Sequence, residues 1–299
     1  MDSRAFLRAL YRAAVSAVEP GRLVSEALSR RGNAVVARSV SDPLRREFVF
    51  VPRRVVLLAA GKAAAPMASA ACRALGTLLS DGLVVVPDGT PEEAAPPGVR
   101  VLAAPHPVPD ERSVAAGRAA LELASGLRRE DLLVVLLSGG ASALMALPGE
   151  EIALEEKTRT VSLLAAAGAR AADVNLVRSA LSRIKGGRLA AAAREADVVT
   201  LVLSDLGDEG WHLVASGPTL GVPPTRRDAV SVLETYRLLS LVPPAVRAWL
   251  LSSQAESVPR DGGQRWSLLL ADIRTAVEGA RREALRLGAD ARVIPELLD

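Results

Sequence analysis

The sequence predicts an α/β fold, a doubly wound and mostly parallel Rossmann-like sheet with helices on both faces. Three observations carry that expectation. Short apolar runs rich in Val, Leu and Ala recur along the 299 residues: VVLLAA (55–60), GLVVVP (82–87), VRVLAA (99–104), DLLVVLL (131–137) and DVVTLVL (197–203). Strands covered on both faces read this way, whereas half-exposed strands alternate apolar and polar residues. Between the runs lie segments of helical period, the pattern of βαβ units. No Asn-Gly step joins two alternating runs, so no tight hairpin is expected.

Taken in order, Phe6, Leu7, Leu10, Tyr11, Ala14, Val15 and Val18 repeat at three and four residues up to Pro20, giving a first amphipathic helix. A second helix is expected over about 22–30. Helices should follow the strands at about 62 and 111, the second opened by Asp110 as a cap. A polar-patterned helical region covers about 153–193, broken by Gly186-Gly187. Residues 217–225 (GPTLGVPPT) read as a loop, 226–239 and 243–253 as helices, and 253–265 as a polar linker. A strand WSLLLA (266–271), a helix over about 272–287 and a strand ARVIP (291–295) close the chain. One domain is therefore expected over 1–240. Residues 241–299 would be linker helices and the incomplete start of a second α/β domain, because one βαβ unit cannot cover both of its own faces.

Composition excludes several classes of function. The 34 acidic residues are interspersed with the 37 basic ones and aromatics are 3%, so no basic stripe with stacking residues points to nucleic acid. No membrane-spanning apolar run or signal peptide is present in the sequence, which reads as cytosolic. Cys72 alone excludes an internal disulfide, and with only His106 and His212 there is no zinc cluster to build. Any metal must be oxygen-bound. Of the 37 basic residues only Lys62, Lys157 and Lys185 are lysines, and two of them sit in glycine-flanked motifs.

Open parallel sheets bind ligands beyond the carboxyl ends of their strands, and there this chain concentrates glycine and polar residues. Ser138-Gly139-Gly140-Ala141-Ser142 follows one apolar run; it suits an anion held by backbone N–H groups at a helix start, or simply a glycine turn with a serine cap. Gly61-Lys62 follows another but is not a phosphate-binding GxxxxGK[ST] loop, since position 56 is Val and position 63 is Ala. His106 lies in a stiff loop with Pro105, Pro107 and Pro109. Arg178, Ser182 and Lys185 are spaced to share a helix face, either a phosphate or carboxylate cradle or a solvated basic surface. Ser204-Asp205-Leu206-Gly207-Asp208 puts carboxylates at a strand end, where they suit Mg²⁺ brought by a nucleotide, a base for a hydroxyl, or ordinary turn chemistry.

Together, GKAAAPMA (61–68), HPVPDERS (106–113), LSGGASAL (137–144), NLVRSALSRIKGGRLA (175–190) and LSDLGDEGWHLVASGPT (203–219) resemble, in order and spacing, the glycerate 2-kinase family that ends in a MOFRL domain. The resemblance covers essentially the whole chain. It implies ATP- and Mg²⁺-dependent phosphorylation of the 2-hydroxyl of D-glycerate in a cleft between two domains. Lys62 would stabilise charge on the transferring phosphoryl group and Asp205 would act as base or orient the hydroxyl. Ser138, Gly139, Gly140, Ser142, Arg178, Lys185 and His106 would bind phosphate or substrate, and Asp208 would hold metal.

The chain departs from the family pattern in three places. Gly207-Asp208 follows Asp205 one residue early, Leu270-Ala271-Asp272 replaces an expected Gly/Ser-Asn turn, and the long remainder of the family's second domain is not in this sequence. A rival reading is therefore a non-enzymatic remnant or half-enzyme that binds an anion, another copy of itself or a complementary C-terminal chain. A hydroxypyruvate reductase is disfavoured because no GxGxxG follows any strand.

Overall fold

The structure is a computed structural model that describes residues 2–40, 46–91, 96–206, 210–221, 223–252 and 262–294. The expected apolar runs form β4 (Arg54–Ala60), β5 (Leu79–Pro87), β6 (Arg100–Ala104), β7 (Asp131–Ser138) and β8 (Asp197–Leu203). With β9 (Arg265–Ala271) they make a six-stranded parallel sheet in the order β6-β5-β4-β7-β8-β9. Numbered within the sheet this is 3-2-1-4-5-6, the doubly wound order, which reverses direction between β4 and β7.

The unbroken apolar character of the central strands has the expected cause. Val55, Leu57 and Ala59 of β4, with Leu132, Val134 and Leu136 of β7, enter one core. The alternate residues Val56, Leu58, Ala60, Leu133, Val135 and Leu137 enter the core on the opposite face. Helix α3 (Ala64–Leu75) packs on the first face and α4 (Glu111–Ser125) on the second; α4 is opened by Asp110, whose carboxylate accepts from the Arg112 and Ser113 N–H groups. A third apolar cluster joins α6 (Leu154–Ala166), α7 (Ala171–Ala180), α9 (Arg226–Thr235) and α10 (Pro244–Leu251).

Three expectations are corrected. Helix α1 (Ser3–Ala17) stands where predicted, but α2 (Pro20–Ala27) ends early. Instead of continuing to 30, the chain forms an antiparallel pair, β1 (Leu28–Arg31) and β2 (Ala34–Arg38), joined through Gly32-Asn33 and extended by β3 (Glu47–Phe50). A tight hairpin without an Asn-Gly signal is therefore present, with Gly32 at φ +63° supplying the left-handed conformation such a turn requires.

Second, β9 does not start a separate unit. It pairs with β8, Leu268, Leu270 and Ala271 join the core beside α3, and Trp266 stacks on Phe48 of β3 with centroids 4.2 Å apart. Helix α11 (Ile273–Arg286) then lies on α1, so closely that a Cβ on Gly279 would fall 2.6 Å from that of Ala17. An apolar strand offered to an unpaired sheet edge gains a ladder of hydrogen bonds and a covered face together, which is why β9 extends the six-stranded sheet. Third, residues 291–294 form no strand.

Candidate active site

The reversal point between β4 and β7 brings two loops together. Gly61 leaves β4 at φ +130°, where a side chain would collide with the Ser138 backbone: a Cβ would sit 2.6 Å from its carbonyl oxygen. That contact lets the Lys62 N–H donate to the Gly139 carbonyl at 2.9 Å and the Ala63 N–H donate to Ser138 Oγ at 3.0 Å. Lys62 is thus in the turn before α3, with its side chain exposed. Asp205, just after β8, lies against Gly139, where a Cβ would come within 2.6 Å of its Cγ. Gly140 is flanked by Lys62 Cγ and His106 Cδ2, each 3.1 Å from where its Cβ would be.

Gly139 and Gly140 therefore form a bare backbone ridge with Asp205 on one side and His106 on the other. Beside Asp205 is a cavity of about 320 Å³ lined by Lys62, Ser138, Gly139, Ser204, Asp205 and Asp272. Beside His106 is one of about 410 Å³ lined by His106, Gly140, Ser142, Lys157, Arg178 and Lys185. The first combines an ammonium with an exposed carboxylate; the second gathers three cations.

The cations of the second cavity are held unequally. Lys185 is 1% exposed, and its Nζ donates to the Ser142 carbonyl (3.2 Å), Ser142 Oγ (3.2 Å) and the Ala215 carbonyl (3.1 Å). Ala215 and Ser216 both adopt φ +59°, a costly conformation outside glycine, in the turn that presents that carbonyl. Ser142 Oγ meets Ser216 Oγ at 2.7 Å, and Ser216 Oγ and Arg178 Nη1 both donate to Asn175 Oδ1 at 3.0 Å. Lys157 is 4% exposed and its Nζ has no hydrogen-bond partner. Burial, then the nearby Arg178 and Arg188, lower its pKa to about 7. Burial, then Lys157 and Arg178, hold Lys185 well below its ordinary value. A cavity whose charged groups act on one another as like charges attracts anions.

Residues 6–251 match a family model described as a domain of unknown function, DUF4147. The chain belongs to the DUF4147 family. It is 33% identical over 305 residues to a Pyrococcus horikoshii protein named glycerate 2-kinase, aligning 100% of this chain with 66% of that one. A relative from Agrobacterium vitis, provisionally named hydroxypyruvate reductase, is 34% identical over 302 residues, covering 100% of this chain and 63% of its own. The crystal structure of a Thermotoga maritima glycerate kinase superposes with a TM-score of 0.76 at 33% identity, covering 95% of this chain and 62% of that one. This DUF4147 chain thus spans just under two thirds of the length of these relatives.

The structure brings Lys62, Asp205, Ser138, Gly139, Gly140, Ser142, His106, Arg178 and Lys185 to the two sides of one ridge. Asp208 lies outside the described residues. Among the described residues no group of three or more His, Cys, Asp or Glu could cage a metal, and no helix is long and apolar enough to cross a membrane. Two local expectations change. The helix after Gly140, α5 (Ala141–Leu144), has only four residues and its end offers little dipole; Ser142 serves instead as the acceptor for Lys185. Arg178, Ser182 and Lys185 do not share a helix face, because α7 ends at Ala180 and Ser182 Oγ donates to the Leu147 carbonyl at 3.0 Å. Arg178 from the helix and Lys185 from the turn beyond it converge nonetheless.

Sequence reasoning gives Lys157, Asn175 and Ser216 no role in the site. Lys157 sits in EEKTRT, which reads as a solvated helix face; the signal that could have found it was the scarcity of lysine in an arginine-rich chain, since all three lysines line the site.

Proposed function

We propose that this chain carries the phosphoryl-transfer site of a cytosolic glycerate 2-kinase, which uses ATP with Mg²⁺ to phosphorylate the 2-hydroxyl of D-glycerate. The observation that carries the reading is the meeting of Lys62 and Asp205 at the Gly139–Gly140 ridge, beside a cavity lined by cations. Phosphoryl transfer needs positioning and charge neutralisation more than covalent chemistry from the protein. The hydroxyl oxygen bonds to the γ-phosphorus as the bond to the bridging oxygen breaks and ADP leaves. The Asp205 carboxylate orients the hydroxyl and accepts its proton. The Lys62 ammonium meets the charge on the transferring group, and the bare Gly139 and Gly140 backbone lets that group approach closely.

Mg²⁺ keeps much of its water and is ordinarily held by one or two carboxylates plus substrate phosphates. Asp205 is engaged with the hydroxyl and Asp272 Oδ1 already accepts from the Thr275 N–H and hydroxyl as the cap of α11, so the carboxylate that would meet the metal is Asp208, which lies outside the described residues. The metal would neutralise phosphate charge. The reductase reading is weaker because the turn after β4 is Gly61-Lys62-Ala63, without the glycine pattern that admits a dinucleotide pyrophosphate. The test follows ADP release from ATP and Mg²⁺ with and without D-glycerate, and NADH oxidation with hydroxypyruvate. Glycerate-dependent ADP release supports the kinase. NADH oxidation alone would replace it with the reductase, and neither activity would favour a binding half that awaits a complementary chain.

A further inference from the structure

Three features of the 410 Å³ cavity remain unexplained by the transfer chemistry itself: Lys157 is buried, its Nζ is unpartnered, and its charged neighbours are cations. We propose that this cavity seats the carboxylate of the hydroxy acid, with Lys157 as the residue that receives it. The inference rests on the kinase reading for the identity of the acid and on the cavity for the seat.

Lys185 is already committed to three oxygens of the protein, and Arg178 spends one N–H on Asn175. Lys157 makes no such bond, so its nitrogen is the group whose hydrogen-bonding capacity is still to be satisfied, and a buried polar group left unpaired is costly. An entering carboxylate supplies both an acceptor and the missing negative charge. The other charged groups on the packed elements do not compete for it. Glu156 on α6 accepts from the Ala153 N–H, Asp173 on α7 is tied to Arg170 and the Tyr236 hydroxyl, and Arg247 on α10 is exposed. Arg178, Arg188 and Lys185 are the charges that bear on Lys157, and His106 lines the same cavity from its loop.

Burial among cations favours the neutral amine when the cavity is empty, and a bound carboxylate favours the ammonium. Anion binding above neutral pH therefore takes up a proton. Across the interval between the free and bound titrations, affinity should fall about tenfold per pH unit.

The chain's three lysines make the test direct. With lysine labelled at the ε-carbon with ¹³C, and signals assigned through single lysine variants, D-glycerate and inorganic phosphate are each added at pH 8 without nucleotide. The expected result is that saturating D-glycerate moves the Lys157 signal from its neutral to its ammonium position, and phosphate at equal concentration does not. Calorimetry in buffers of different ionisation enthalpy should register the proton taken up. Lys157→Met should weaken glycerate binding at pH 7 by tenfold or more, remove the proton uptake that Lys157 carries and raise the thermal midpoint, which a purely structural lysine would lower. A response to phosphate alone would assign the cavity to a phosphoryl group and overturn the carboxylate seat; a Lys157 signal indifferent to both would overturn it too. The measurement needs no turnover. A glycerate response without phosphorylation would sink the kinase and leave the seat, and phosphorylation with a silent Lys157 would do the reverse.

Discussion

Adding one methyl group at Gly139 should separate the site from the fold. In Gly139→Ala the new Cβ would lie 2.6 Å from Asp205 Cγ and closer still to Oδ2, whereas ordinary contact begins at 3.4 Å. Oδ2, the nearer atom, must therefore retreat by more than about 1 Å. It can do so because Asp205 is exposed and only the end of its side chain is displaced. Gly139 is not among the glycines with positive φ, so alanine brings no conformational strain. Stability should accordingly change by less than about 0.5 kcal/mol, as for other surface substitutions. Turnover should not be spared: misplacing a reacting group by about 1 Å costs on the order of 10²-fold. The assay is glycerate-dependent ADP release alongside thermal unfolding of the same preparation. A folded variant within a few-fold of the parent's turnover would show that Asp205 does not act from its place against Gly139. Gly61→Ala is the contrast, because there a Cβ meets the Ser138 backbone at φ +130° and the fold itself should suffer.

Lys62→Met should lower turnover far more than it weakens glycerate binding, by ~2.7 to 4 kcal/mol in kcat, the loss typical of removing one preorganised donor; steady-state kinetics with a binding titration checks the split. Lys157→Met should stabilise the ligand-free chain. In the folded state Lys157 loses its proton near pH 7 rather than 10.5, so the penalty is full below pH 7 and disappears as pH rises toward 10.5. The shift corresponds to about 5 kcal/mol at pH 7, and denaturant titrations should find the variant's advantage shrinking by roughly 1.4 kcal/mol per pH unit between pH 7 and 9. Leu136→Ala in β7, a fully buried position, should cost about 2 to 5 kcal/mol in the same experiment.

The two-faced burial of the central sheet was legible because strands β4, β7 and β8 send alternate residues into two cores and so have no polar face to interrupt the pattern. The small sheet β1-β2-β3 was not. LSRR, AVVAR and EFVF are too short to show a period, and a Gly32-Asn33 turn is a weaker signal than Asn-Gly. WSLLLA is legible as a strand but its place beside β8 is not, since a sequence states that a strand is apolar but not which open edge it joins. The strand-end loops disclosed Lys62, Ser138, Gly139, Gly140 and Asp205 through glycine beside polar residues. The cation cavity was half legible: Arg178 and Lys185 carried local motifs, while Lys157 lies in a charged stretch of α6 and is made unusual only by what tertiary packing puts around it.

The central claim is that the ridge between β4 and β7 directs a phosphoryl group to the 2-hydroxyl of D-glycerate. ³¹P NMR of the products formed from ATP, Mg²⁺ and D-glycerate measures this directly, because 2-phosphoglycerate and 3-phosphoglycerate are distinguishable. The account predicts the 2-isomer, lost when Lys62 is replaced by Met. Accumulation of the 3-isomer alone, or of the 2-isomer at an undiminished rate in Lys62→Met, would contradict it.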